Sequence, residues 1–253
     1  MLDKSCGLVY YDNCQREKGT HMGKKKYFMI LDTETCGDLV FDYGYTVIDR
    51  KGNLVAEGSF VCEEFVNDPE RLDMFHDRFT KTKIAQYYFS LYMGRDEFTV
   101  MPFAEIRRTI NSVRKAFNAT VCAYNASFDV SHLLKTAQYF GYDQFFKGDV
   151  KFMDIWAMAL SVLCNSRNYL KFCAEHGLTT AKGHPQTGAE AVYRYLTNDA
   201  TFEEKHTARA DCEIESYIFA AIIRRKRKFD SDFVKICLHN PHWREISKRF
   251  AEF

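Results

Sequence analysis

Tyr27-Phe28-Met29-Ile30-Leu31-Asp32-Thr33-Glu34-Thr35 decides the fold. Five apolar residues run straight into an acid, a hydroxyl residue, a second acid and a second hydroxyl. A continuous apolar run of this length reads as a buried strand. Strand side chains alternate, so Asp32 and Glu34 point to the same side. Two carboxylates side by side at the end of a buried strand repel each other, and burying either costs free energy. A hard divalent cation held by oxygen ligands offsets that cost. The alternative is a strand end that is simply exposed and acidic, and this segment alone does not choose between the two.

Composition narrows the class. The chain has 253 residues, 46% of them hydrophobic and 15% aromatic, enough for one large domain with a sizeable core. The formal net charge is only +1, so contact with nucleic acid must come from local basic patches. No run of about 18 apolar residues is present, which argues against a membrane span, and the N-terminus lacks the apolar core of a signal peptide. Nine cysteines, an odd number with no C-x-x-C pair, suit free thiols in a reducing cytoplasm better than a disulfide framework.

The rest of the chain reads as strands followed by helices. Residues 1–22 show no periodicity and are set aside as a leader, either a cloning remnant or a flexible arm. Val40–Asp49 and Leu54–Cys62 read as further strands around the Lys51-Gly52-Asn53 turn, giving an antiparallel meander. Helices are expected from about 69 to 94. Phe103, Ile106, Ile110, Val113 and Phe117 follow the spacing of an amphipathic helix. Ala119–Ala123 reads as a short strand, followed by a helix over Ser127–Phe140. Val150–Phe152 reads as a strand leading into a helix through Ala157. Asn168–His176, Ala189–Leu196 and Thr207–Lys228 read as helices, the last ending in Arg224-Arg225-Lys226-Arg227-Lys228. A meander followed by alternating strands and helices predicts one α/β domain with a mixed sheet over residues 23–228, and a helical extension over 229–253.

Three further segments bear on the opening acids. Tyr124-Asn125-Ala126-Ser127-Phe128-Asp129 follows a strand and opens a helix, where Asn125 or Ser127 is expected to cap. Asp154 is expected to cap the helix containing Trp156. In His206-Thr207-Ala208-Arg209-Ala210-Asp211 a histidine precedes a helix and an aspartate lies within it. That separation of five is not an ordinary helix-surface pair. Small Ala208 and Ala210 allow close packing against a neighbour.

Taken in order, Asp32-x-Glu34, Asn125-x-x-Phe128-Asp129 and His206-x-x-x-x-Asp211 resemble the motifs of the DEDDh family of 3′-to-5′ exonucleases. The resemblance spans roughly Tyr27 to Lys228. It implies an RNase H-like fold, a mixed β-sheet with flanking helices. It also implies that Asp32, Glu34, Asp129 and Asp211 hold two divalent ions, Mg²⁺ or Mn²⁺, and that His206 is the general base. Two such ions can stabilise the charge on both the attacking and the leaving oxygen of a phosphodiester. The resemblance further places the Thr33 backbone against the 3′-hydroxyl and Phe128 beside the terminal nucleotide, with Asn125 ordering the turn. Tyr124 departs from the pattern, since many members have histidine before the asparagine. The aromatic segment 73–98 has no counterpart in it, and Tyr87, Tyr88, Phe89 and Tyr92 are candidates for base stacking or for helix packing. The expected substrate is the 3′ end of single-stranded DNA, with RNA next. A homodimer or a polymerase partner is in keeping with the family. Alternatives are an inactive nucleic-acid or polymerase-binding module of the same fold, and a phosphodiesterase acting on small nucleotides.

Overall fold

A computed structural model describes residues 9–10, 26–66, 68, 99–225 and 242–251. The expected helices of 69–94, the four aromatic residues within them, and the basic residues 226–228 lie outside the described residues. Most of 1–22 and of the C-terminal extension do so too.

Among the described residues seven strands form one mixed sheet: β1 (Val9–Tyr10), β2 (Tyr27–Cys36), β3 (Leu39–Asp49), β4 (Leu54–Cys62), β5 (Thr99–Met101), β6 (Thr120–Ala123) and β7 (Phe152–Asp154). Their order is β1-β4-β3-β2-β6-β7, with β5 also on the outer edge of β4. β2, β3 and β4 are the antiparallel meander, turning at Gly37-Asp38 and Lys51-Gly52-Asn53. β6 and β7 continue the sheet in parallel on the far side of β2. Val9 and Tyr10, in the stretch set aside as a leader, pair with Glu57 and Ala56 at the β4 edge. β7 begins two residues later than the spacing suggested and carries Asp154 as its last residue.

The helices are α1 (Glu63–Val66), α2 (Phe103–Phe117), α3 (Ala126–Tyr139), α4 (Ile155–Ala159), α5 (Arg167–Glu175), α6 (Ala189–Thr197), α7 (Ala208–Arg225) and α8 (His242–Phe250). A π-helical turn over Leu160–Cys164 prolongs α4, which the sequence pattern does not signal. Asp154 caps α4 as expected, accepting from the Ala157 N–H at 3.1 Å. The expected side-chain cap of α3 is not made. Asn125 instead takes a left-handed backbone (φ 59°), which asparagine tolerates, and Ser127 Oγ donates to Asn125 Oδ1 at 3.1 Å.

Alternation along the strands divides the core into two layers. Met29 and Leu31 of β2 pack with Tyr43 and Tyr45 of β3 against α2 and α3. Phe28 and Ile30 face the other way, against Met158 of α4 and Ile214, Ile218 and Phe219 of α7. Asp32 and Glu34 continue the Phe28–Ile30 row and so face α7, whereas Thr33 faces α3. The six described cysteines are buried, and none is in a disulfide. Among the described residues no helix is long and apolar enough to cross a membrane.

Candidate metal centre

The site is assembled by bringing the start of α7 down onto the carboxyl end of β2. Two residues of β3 make this possible. Gly44 pairs with Asp32 and Asp42 pairs with Glu34 across the hairpin. A Cβ on Gly44 would stand 2.2 Å from the backbone of Ala208, so only glycine lets α7 cross here. Asp42, 3% exposed, accepts the Ala208 N–H at 3.1 Å and anchors the helix N-terminus. Thr207 adds a second cap, its hydroxyl oxygen accepting from the Ala210 N–H at 3.3 Å. Asp211, in the first turn, is thereby lowered beside the β2 acids.

Carboxylate oxygens of Asp32, Glu34 and Asp211 all lie within 4.8 Å of one another. Asp32 Oδ2 and Asp211 Oδ1 are buried and accept no hydrogen bond from the described residues. Burial, reinforced by Asp211 and Asp42, pushes the Glu34 carboxyl up to about 9. Burial, then Glu204, takes Asp211 to about 8. Asp32 is raised by burial and next by Glu215. An all-oxygen set of crowded acids with unsatisfied buried atoms fits a hard divalent cation.

Asp129 approaches from the other face. It is 2% exposed in the first turn of α3, and Thr33 Oγ1 donates to its Oδ1 at 2.8 Å. Burial raises its carboxyl to about 7, with the Thr33 hydroxyl working against that rise. Asp129 is therefore next to the three gathered carboxylates but outside their 4.8 Å group. Phe128, 42% exposed, stands at the rim with its ring 4.2 Å from that of His132. Asn125 is exposed at the same turn.

His206 belongs to a different trio. Its ring nitrogen groups with Glu190 and Glu204, with Nδ1 3.9 Å from Glu204 Oε2. Its side chain is half-exposed and its backbone is left-handed (φ 52°). Burial and then Glu190 raise Glu204 to about 7, while Arg194 pairs with Glu190 at 2.5 Å.

Three contributors escaped the motif reading: Asp42, Gly44 and Glu215. A glycine inside an otherwise bulky strand marks close backbone approach, and Gly44 carries that signal. Asp42 interrupts an apolar alternation, a weaker sign. Glu215 lies four residues after Asp211, on the same helix face. It is buried and its carboxyl is pushed well above the usual range, first by burial and then by Asp129 and Asp211.

No protein-family model matches the sequence, and comparison with curated proteins gives no match either. Solved structures do match in fold. Escherichia coli exonuclease I in complex with a dA16 oligonucleotide superposes with a TM-score of 0.52 at 16% identity, covering 80% of this chain and 41% of that one. A product-bound exonuclease I gives 0.50 at 17% identity, covering 80% and 44%. The chain spans about two fifths of the length of those proteins. At such identities the likeness speaks for architecture alone: the chain shares the RNase H-like fold, a mixed sheet with flanking helices, that the motif order implied.

Proposed function

We propose that the protein is a metal-dependent 3′-to-5′ exonuclease that releases nucleoside 5′-monophosphates, with single-stranded DNA as its first substrate and RNA next. The observation that carries this reading is the gathering of Asp32, Glu34 and Asp211 at the end of β2, two of their buried oxygens having no hydrogen-bond partner among the described residues. Exonuclease I was solved with a deoxyadenosine oligonucleotide, which favours DNA as the polymer here.

In this reading Asp32, Glu34 and Asp211, joined by Asp129, hold Mg²⁺ or Mn²⁺. Bound there, the ions supply Lewis-acid stabilisation of the negative charge that develops on the phosphodiester oxygens. Thr33 keeps the Asp129 carboxylate turned toward β2. Phe128, exposed beside the acids, offers a ring face to the terminal nucleotide. His206 accepts the proton of the attacking water. Asn125 shapes the turn that carries Phe128 and Asp129.

The test uses 3′- and 5′-end-labelled single-stranded DNA, duplex DNA and RNA, each with Mg²⁺, Mn²⁺ or chelator. A metal-dependent ladder receding from the 3′ end, with mononucleotide product, is the expected result. Binding without degradation of any polymer would replace this reading with that of an inactive nucleic-acid-binding module.

A further inference from the structure

Beside the four acids of the motifs, Glu215 is a buried acid that packing does not account for. It lies one turn past Asp211 on α7 and is 3% exposed. Among the described residues it makes no ion pair with a lysine or arginine. A methionine of similar volume would fill the position without the cost of burying a carboxyl.

Its one hydrogen bond among the described residues explains its place. Glu215 Oε2 accepts from the Tyr124 N–H at 3.3 Å. Tyr124 is the residue at which β6 gives way to the turn leading to Asp129. β6 runs parallel to β2, with Cys122 opposite Ile30, so Tyr124 and Asp32 each stand two residues past that pair. Glu215 thus reaches from the helix of Asp211 to the turn of Asp129, at the level of Asp32. The far end of Tyr124 is tied down as well. Its hydroxyl donates to the Thr187 carbonyl at 2.6 Å, and Thr187 Oγ1 accepts from Trp156 Nε1 at 3.1 Å. One residue after Asp211 on the same helix, Cys212 Sγ lies 3.6 Å from the Ile30 carbonyl oxygen, seating α7 on β2.

We propose that Glu215 is a positioning residue of the metal centre, clamping α7 to the β6–α3 turn so that Asp211 and Asp129 stay at the spacing from Asp32 that ion binding requires. The clamp acts through an acceptor oxygen on a side chain of glutamate length. It explains why Tyr124 can depart from the family pattern: the backbone N–H of that residue, not its ring, faces the acids. The activity arm of the test rests on the exonuclease reading, whereas the metal arm does not.

The experiment compares wild type with E215M and E215Q. Mn²⁺ binding is measured by titration calorimetry, kcat and KM on single-stranded DNA, and Tm in chelator. E215M is expected to keep or raise Tm yet lose about tenfold or more in Mn²⁺ affinity, with kcat falling and KM little changed. E215Q keeps an oxygen for the Tyr124 N–H and is expected to restore Mn²⁺ affinity and most of kcat. A purely structural role would not lower metal affinity while Tm holds. Wild-type Mn²⁺ affinity in E215M overturns the proposal, and so does an E215Q as impaired as E215M, which would assign the effect to charge. Should E215M fail to fold, E215Q decides: near-wild-type affinity supports the clamp and a tenfold loss refutes it. If wild type cleaves no polymer, the exonuclease reading fails, and the Mn²⁺ comparison still tests the clamp.

Discussion

Replacing Gly44 by alanine tests how the centre is assembled. The added Cβ would lie 2.2 Å from the Ala208 carbonyl carbon and oxygen and 2.5 Å from the Arg209 nitrogen. These are backbone atoms in the first turn of α7, so no side chain can swing aside. To restore an ordinary separation of about 3.5 Å, the start of α7 must retreat by roughly 1 Å. Overpacking of this kind costs about 1–3 kcal/mol. The larger effect is on Asp211, which rides on that turn, since a displacement of about 1 Å can cost on the order of a hundredfold in rate. G44A is therefore expected to bind Mn²⁺ at least about tenfold more weakly and to lose most of its single-strand degradation, while remaining folded. G188A is the control, because nothing lies within 4 Å of a Cβ there. Calorimetry with Mn²⁺, nuclease rate and Tm together decide the matter. If G44A keeps wild-type Mn²⁺ affinity and rate, the close crossing at Gly44 does not place Asp211.

Three further outcomes are expected. In chelator, Tm should fall as pH rises. Glu34, Asp211 and Asp129 have native values of about 9, 8 and 7, above their ordinary ones, so the native state holds protons that the unfolded chain has released. Their penalty is absent below about pH 4 and grows as pH climbs toward those native values, at about 1.4 kcal/mol per unit for each group. Saturating Mn²⁺ should flatten the slope, and a chelator profile that does not fall between about pH 5 and pH 8 would contradict the acid crowding. T33V removes the hydroxyl that holds the Asp129 carboxyl down, so the acid limb of the kcat–pH profile should move to higher pH; an unmoved limb would detach Asp129 from the reaction. H206A should lower kcat by roughly a hundredfold or more with Mn²⁺ affinity unchanged, and a matching loss of metal binding would make His206 a ligand instead of a base.

How much was legible in the sequence depended on range. The apolar run of β2 and the spacing of Phe103, Ile106 and Ile110 report local periodicity, and α2 begins and ends where that spacing does. The meander followed from the Lys51-Gly52-Asn53 turn between two β-rich runs. The π-helical turn at Leu160–Cys164 left no trace, because its residues are as apolar as those of a regular buried helix. At the site, the motif residues sit at the ends of elements, and Asp32, Glu34 and Asp211 meet. What the sequence could not show is which face each element presents at a crossing. Thr33 and Asp129 meet because Thr33 faces the helix that carries Asp129, and Asp42 caps a helix 166 residues away. Neither contact has a local pattern. Glu215 escaped notice because an acid on a helix is ordinarily a solvated one.

The β2–β3 hairpin holds both a member of the centre and the fixture that delivers another. Glu34 and Asp42 are cross-strand partners, and the second anchors the helix bearing Asp211. Registry in the hairpin is thus a vernier for the whole centre. A one-residue slip would turn Asp42 to the opposite face of the sheet. It would misplace Glu34 and release the N-terminus of α7 in the same movement. A chain that has paired these strands wrongly therefore cannot dock α7 in the native way. Misregistry of this hairpin therefore appears as a failure to fold, unlike the local displacement expected of G44A.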